Sequence, residues 1–162
     1  MSNPRSDIDS QSTVTQDIDS QDTGALLLRH QQRDRGPAAD LLGHRLLTID
    51  QDAGSVEVEF QAQDHLYNPM GVMQGGFTSA MAEQTMIDAV VALTDLDSDV
   101  VMLEMQCNYL TAIHPGPLRC RATVTRKGRS TAFVEASLFN SAGKLATTAT
   151  AVASLHPHSG DR

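Results

Sequence analysis

The chain has 162 residues with 40% hydrophobic content and a formal net charge of −8, which suits one ordinary domain with its own core. This acidic balance argues against a nucleic-acid partner, because phosphate binding requires a basic face. The two cysteines lack metal-ligand spacing, and the sequence shows neither a leader-peptide pattern nor an apolar run of about 20 residues. These features predict a cytoplasmic protein with free thiols and no membrane partner.

The two ends of the chain are predicted to lie outside the core. Residues 1–22 are rich in Ser, Asp, Gln and Thr, so we expect a disordered polar tail. The apolar run within 23–33 predicts a short helix that Gly36-Pro37 would end, which makes 23–39 an N-terminal helix and linker. Residues 156–162 are predicted to form a C-terminal tail.

Between these ends, residues 40–155 show strand patterns interrupted by one long helical pattern. The helix is predicted over 76–93, where neither Pro nor Gly follows the first residue. The strands are predicted at 41–49, 55–62, 99–113, 118–126, 130–139 and 144–155. One face of the third strand is predicted to carry Val101, Leu103, Met105, Cys107 and Tyr109. Short turns imply antiparallel neighbours, and one apolar helix must bury against that sheet, so the sequence predicts an α+β fold.

The loop before the long helix contains the residues that most suggest chemistry. Gly75 and Gly76 are predicted at the helix N-terminus, where bare amides and the helix dipole favour a negatively polarised ligand. Alternatively, the pair only permits a sharp turn. Glu83 follows two turns later and interrupts a small and apolar stripe. It is either a working carboxylate or a helical Glu that reaches solvent or a salt bridge.

The motif Asn68-x-x-Gly71-x-x-Gln74-Gly75-Gly76, followed by Glu83, resembles the hotdog-fold acyl-CoA thioesterases of the phenylacetate-pathway (PaaI-like) type. Three later stretches fit as well: Asn108-Tyr-Leu, Lys127-Gly-Arg-Ser130 and Gly143-Lys-Leu-Ala-Thr147. Gln74 departs from the family pattern, which has His there. The resemblance covers roughly 40–155, which we interpret as a hotdog thioesterase domain. It implies a long central helix wrapped by a curved antiparallel sheet of five to six strands.

The resemblance implies the hydrolysis of an acyl- or aryl-acyl-CoA thioester. Glu83 would be the general base or the nucleophile, and the Gly75 N–H would polarise the carbonyl. Asn68 and Gln74 would be orienting groups. The donor and the carboxylate of one site would come from different subunits of a homodimer or homotetramer. No metal or cofactor is implied, since coenzyme A is part of the substrate.

Further residues are candidates for substrate binding. They are Gly76, Tyr67, Met73, Phe77, Arg126, Lys127, Arg129 and Ser130. The apolar members would line an acyl pocket, although they fit an ordinary core equally well. The basic members would suit the phosphates of coenzyme A, although they also fit a solvated hairpin tip.

Two other functions remain compatible with this pattern. A hotdog enoyl-CoA hydratase or dehydratase would need a His beside the carboxylate, and His65 is the candidate. A non-catalytic acyl-CoA-binding protein would keep the pocket without turnover.

Overall fold

The computed structural model describes residues 24–158, so the tail predicted at 1–22 and the last residues, 159–162, lie outside the described residues. The helices are α1 (residues 24–31), α2 (Gly36–Leu42) and α3 (Gly75–Leu93), with a 3-10 turn at Asp64–Leu66. The strands are β1 (Arg45–Asp50), β2 (Ser55–Ala62), β3 (Ser98–Tyr109), β4 (Gly116–Lys127), β5 (Thr131–Phe139) and β6 (Leu145–Pro157). Among these residues, no helix combines the length and the apolar character needed to cross a bilayer.

The six strands form one antiparallel sheet in the order β1-β2-β4-β5-β6-β3. The strand β3 follows α3 in the chain, yet it pairs with β6 at the far edge of the sheet. The chain therefore crosses the sheet through α3, and the curved sheet wraps around this helix. This is the α+β hotdog arrangement, with six strands and one long central helix.

The core lies between the inner face of the sheet and α3. In β2, Val58 and Phe60 are 0% exposed, whereas Glu57 and Glu59 alternate with them on the outer face. Such alternation is typical of an antiparallel strand with one face buried. The helix contributes Met81, which is also fully buried. The inner face of β6 carries small residues, namely Ala149, Ala151 and Ala153.

The helix α2 differs from the prediction for this region. A strand was predicted from Leu41, and this was wrong, because α2 continues to Leu42 and β1 begins only at Arg45. The Gly36-Pro37 pair starts this helix, although it was predicted to end the preceding one. Proline is tolerated in the first helical turn, where its missing N–H leaves no bond unmade.

The strand β3 also differs from its predicted pattern. Its register against β6 shifts between Met102 and Glu104, which marks a β-bulge. The prediction that Val101 and Leu103 share a face with Met105 is wrong, because a bulge inserts one residue and reverses the alternation. Val101 is 50% exposed and Leu103 is 64% exposed, whereas Met105 packs against the core. The edge strand therefore presents apolar side chains to the outside.

Candidate functional site

The loop before α3 is held in place by its own backbone and by Asn68. The Asn68 Oδ1 atom accepts hydrogen bonds from the Met70 N–H at 2.9 Å and the Val72 N–H at 3.2 Å. The Gln74 N–H donates to the Leu66 carbonyl at 2.9 Å, which fixes the entry into the helix. Asn68 therefore shapes the loop through its side-chain oxygen, as Asn commonly does in turns.

The first turn of α3 leaves two backbone amides without an acceptor. The Gln74 carbonyl accepts from the Phe77 N–H at 3.0 Å and the Thr78 N–H at 3.3 Å, but the Gln74 side chain makes no capping bond. Within residues 24–158, the amides of Gly75 and Gly76 have no hydrogen-bond partner. Unpaired amides at the positive end of a helix form a site for an oxyanion or a polarised carbonyl.

Tyr109 lies against this helix start. A Cβ atom placed on Gly75 would stand 3.3 Å from both the Cε1 and the Cζ atoms of the Tyr109 ring. The Tyr109 hydroxyl lies 2.6 Å from the Ser79 Oγ atom, one turn further along α3. A glycine at position 75 therefore allows the ring to approach the backbone closely. Gly76 has open space around its Cα and is exposed.

Glu83 lies half-buried on α3 and makes no hydrogen bond or ion pair with any residue between 24 and 158. From Gly75 to Glu83 the helix axis advances about 12 Å, at about 1.5 Å per residue. The Gly75 N–H points out of the helix end, away from Glu83, so a carbonyl bound there lies further still. One copy of the chain cannot bring this amide and this carboxylate to the same carbonyl group.

The apolar candidates lie in the core or pack against it. Met73 is 5% exposed and belongs to the core, and Phe77 packs against that core. The Tyr67 hydroxyl is buried and has no hydrogen-bond partner within the described part of the chain. Burial, and then the Asp64 carboxylate, raise the pKa of Tyr67, so its phenol remains a neutral donor. His65, the candidate for hydration chemistry, is exposed in the 3-10 turn.

The basic candidates lie at the tip of the β4–β5 hairpin. Arg126, Lys127, Arg129 and Ser130 are all exposed. None of the three cations forms an ion pair with another residue in the range 24–158. Leu93 is the last residue of α3, and it lies near Gly54 and Val124. The tip follows Val124 closely in the chain and therefore lies near the C-terminal end of α3. Because α3 has 19 residues and is about 28 Å long, the tip and Gly75 lie at opposite ends of one subunit.

A buried ionic cluster on the other side of α3 was not found by sequence reasoning. Its centre is the Asp88 carboxylate, which is 0% exposed. The His44 Nε2 atom lies 2.6 Å from Asp88 Oδ2, and the Arg35 Nε atom donates to Asp88 Oδ1 at 3.2 Å. Arg33 and His30 each lie 3.9 Å from the same carboxylate. The cluster therefore ties the segments 24–35 and 44 to the central helix.

The charges in this cluster set the pKa of its members. Burial alone would raise the pKa of Asp88, but the His44 hydrogen bond and the Arg35 charge outweigh burial and lower it. Burial lowers the pKa of His30 from 6.5 to about 4. The Asp88 charge opposes this shift, and the positive charges of Arg35 and Arg33 add to it. His30 is therefore neutral in the folded protein above that pH. The only sequence signal for this cluster was an Asp within an apolar helical run.

The His30 environment predicts a pH dependence of stability. In the unfolded state His30 binds a proton near pH 6.5, whereas in the folded state it remains neutral down to about pH 4. The contribution of His30 to the free energy of unfolding is therefore fully present above pH 6.5. It is lost as the pH falls from 6.5 to about 4. We expect His30 to contribute a slope of about 1.4 kcal/mol per pH unit in this window. Denaturant unfolding at several pH values should show a shallower slope for His30→Gln than for the wild type. Equal slopes would contradict the prediction.

The comparisons with known proteins agree on one family. The family model described as "Thioesterase superfamily" matches residues 70–147. The phenylacetic acid degradation-related protein of Ralstonia eutropha JMP134 is 32% identical, with 80% of this chain and 98% of that chain covered and a TM-score of 0.73. Among curated proteins, no sequence matches this one.

Two further solved structures are similar in fold. A thioesterase of Haemophilus influenzae is 22% identical, with 84% of this chain and 94% of that chain covered and a TM-score of 0.74. The PaaI protein of the Escherichia coli phenylacetic acid degradation operon is 17% identical, with 85% and 97% covered and a TM-score of 0.73. At these identities, the likeness concerns the fold alone.

Proposed function

Because the chain belongs to the thioesterase superfamily, we propose that it is an acyl-CoA thioesterase that hydrolyses an acyl- or aryl-acyl-CoA thioester to the free acid and CoA. The observation that carries this proposal is the combination, on one helix, of unpaired amides at Gly75 and Gly76 with an unpaired, half-buried Glu83. Thioester hydrolysis needs both groups, a donor for the carbonyl oxygen and a base or nucleophile for the carbonyl carbon.

The proposed mechanism begins with the thioester oxygen accepting a hydrogen bond from the Gly75 N–H. Glu83 then takes a proton from water, the water oxygen bonds to the carbonyl carbon, the C–S bond breaks, and the proton passes to the leaving thiolate. In the alternative route, a Glu83 oxygen bonds to the carbonyl carbon, the thiolate leaves, and water hydrolyses the resulting anhydride. The exposed Gln74 side chain is available to donate to the same oxygen, and Asn68 acts by holding the loop.

The distance between Gly75 and Glu83 supports an active site built by two subunits. Each site would take its amide from one copy and its carboxylate from another. The outer edge of β3 supports such pairing, because no strand among residues 24–158 covers it and it exposes Val101 and Leu103. We therefore propose a homodimer or homotetramer as the active form.

The basic hairpin tip is proposed to bind the phosphates of coenzyme A. Because the tip and Gly75 lie at opposite ends of one subunit, the tip would serve a site whose amide comes from another copy. Tyr67, Met73 and Phe77 would stand at or behind the acyl group. The proposal needs no metal ion or redox cofactor, since water is the co-substrate. It fits a cytoplasmic protein, and Cys107 and Cys120 are free thiols.

Removing the charges of the hairpin tip should weaken the binding of coenzyme A. We expect Arg126→Ala/Lys127→Ala/Arg129→Ala to raise KM for an acyl-CoA about tenfold, because charged hydrogen bonds to phosphate are lost. The same variant should leave turnover of the matching acyl-pantetheine unchanged, because that substrate lacks the nucleotide phosphates. Lys144→Ala, at the exposed β5–β6 turn, is the matched control. An equal loss on both substrates would contradict the assignment of the tip to phosphate binding.

The activity itself is tested with a panel of acyl-CoA and aryl-acyl-CoA thioesters and detection of the free thiol. We expect release of CoA well above the uncatalysed rate for at least one member of the panel, and the same rate in the presence of a chelator. Binding of several members without any release of thiol would refute the proposal and favour a non-catalytic acyl-CoA-binding protein.

A further inference from the structure

Tyr109 contacts the start of α3 from its side. The Tyr109 ring lies against Gly75, where a Cβ atom would stand 3.3 Å from two ring carbons, and its hydroxyl lies 2.6 Å from the Ser79 Oγ atom. The two contacts bracket the first turn of the helix. Just before this turn, the side chain of the N-cap residue Gln74 makes no capping bond.

The contacts of Tyr109 meet two opposing requirements at the helix start, which must be stable and must also leave its amides free. A helix start is normally stabilised by a side chain that accepts a bond from the first amides, and without such a cap the turn tends to fray. A cap of this kind would place a side-chain oxygen on the Gly76 or Phe77 N–H, next to the Gly75 amide that the proposed reaction requires. A contact on the side of the helix stabilises the turn and leaves the amides of Gly75 and Gly76 open.

We propose that Tyr109, locked by Ser79, is a positioning residue that holds the Gly75 amide in the direction required for the thioester oxygen. This inference rests on the proposed function for the role of Gly75. Tyr109 acts through the helix backbone rather than on the reacting atoms. A Cβ atom at position 75 would crowd this ring, so close packing as well as chemistry favours glycine there.

The kinetic test removes the contacts of Tyr109 with Ser79 and Gly75 one after the other. Tyr109→Phe and Ser79→Ala each break the hydroxyl contact, and we expect each to lower kcat about fivefold with KM unchanged, the value of one ordinary hydrogen bond. The double variant should be no worse than either single variant. Tyr109→Leu should lower kcat about tenfold or more, because an amide acting on the transition state is misaligned. Ser137→Ala, on the outer face of β5, is the matched control.

A second readout does not depend on activity. The Phe77 and Thr78 amides donate to the Gln74 carbonyl, so their hydrogen exchange reports whether the first turn is closed. We expect their exchange to become about fivefold faster in Tyr109→Phe, with global stability and subunit association retained. A wild-type protein that hydrolyses no thioester would remove the proposed function, and the exchange experiment would still decide whether Tyr109 holds the turn. Unchanged hydrogen exchange in Tyr109→Leu would overturn the proposal. So would Tyr109 variants in which KM rises while kcat is unchanged, or in which the subunits dissociate.

Discussion

Glu83→Gln is expected to lower kcat about 10²- to 10⁴-fold, with little change in KM, because the amide cannot accept a proton from water or attack a carbonyl carbon. Glu83→Ala should behave in the same way. The measurement is thiol release from the best substrate of the acyl-CoA panel. Glu135→Gln, an exposed carboxylate on the outer face of β5, is the matched control and should retain full activity. Near-wild-type turnover in both Glu83 variants would remove the mechanism.

Mixing inactive variants tests whether two subunits build each site. In a heterodimer of Glu83→Gln with Gly75→Val, one site receives both defects and the other receives an intact carboxylate and an intact amide. Activity should therefore reappear on mixing, approaching half of the wild-type activity per heterodimer. If amide and carboxylate came from the same chain, every site would carry one defect and the mixture would stay inactive. The distance of about 12 Å along α3 makes the first result the expected one.

Asp88→Asn is expected to lower the free energy of unfolding by about 3–5 kcal/mol, because it removes one partner of a buried ion pair and leaves the charge of Arg35 uncompensated. The side chains of Arg35 and Asp88 are 8% and 0% exposed. Denaturant unfolding followed by circular dichroism measures this change. The same variant should keep its kcat under conditions where it is folded, since Asp88 lies about 140° around the helix from Glu83.

A second ion pair between the N-terminal helix and the end of α3 provides the control for Asp88. Arg29 and Asp95 stand 2.7 Å apart, and their side chains are 54% and 62% exposed. Asp95→Asn should change the free energy of unfolding by less than about 1 kcal/mol, as is usual for exposed pairs. A similar loss in both variants would contradict the view that burial determines the importance of the Asp88 cluster.

Much of the fold could be predicted because its signals are local. The alternation in Ser55–Ala62 predicted β2 with the bounds that the structure has, and the long helix starts one residue before its predicted start. The Leu41 region was misread, since an apolar run beside Gly-Pro fits a strand or a short helix. The reversal in β3 could not be read either, because a bulge depends on the register with a distant strand.

The candidate site was predicted in part. The motif around Gly75 and the spacing to Glu83 indicated an amide donor and a carboxylate, and those assignments stay predictions until the variants are assayed. Tyr109 was predicted as a strand residue and as part of the Asn108-Tyr-Leu stretch, without a role in the site, and its partner Ser79 is 30 positions away. The Asp88 cluster was missed for the same reason, because single arginines and histidines carry no periodic signal.

The sequence by itself determined the order of the elements, the buried faces of most strands and the residues at the start of the long helix. These depend on alternation, turn residues and helix propensity, which act between near neighbours in the chain. Only the tertiary structure decided that Tyr109 lies against that helix and that four basic groups surround Asp88. It also decided that Gly75 and Glu83 stand too far apart to serve one carbonyl. Contacts of this kind depend on which distant segments meet, and that is fixed only when the whole sheet closes around α3.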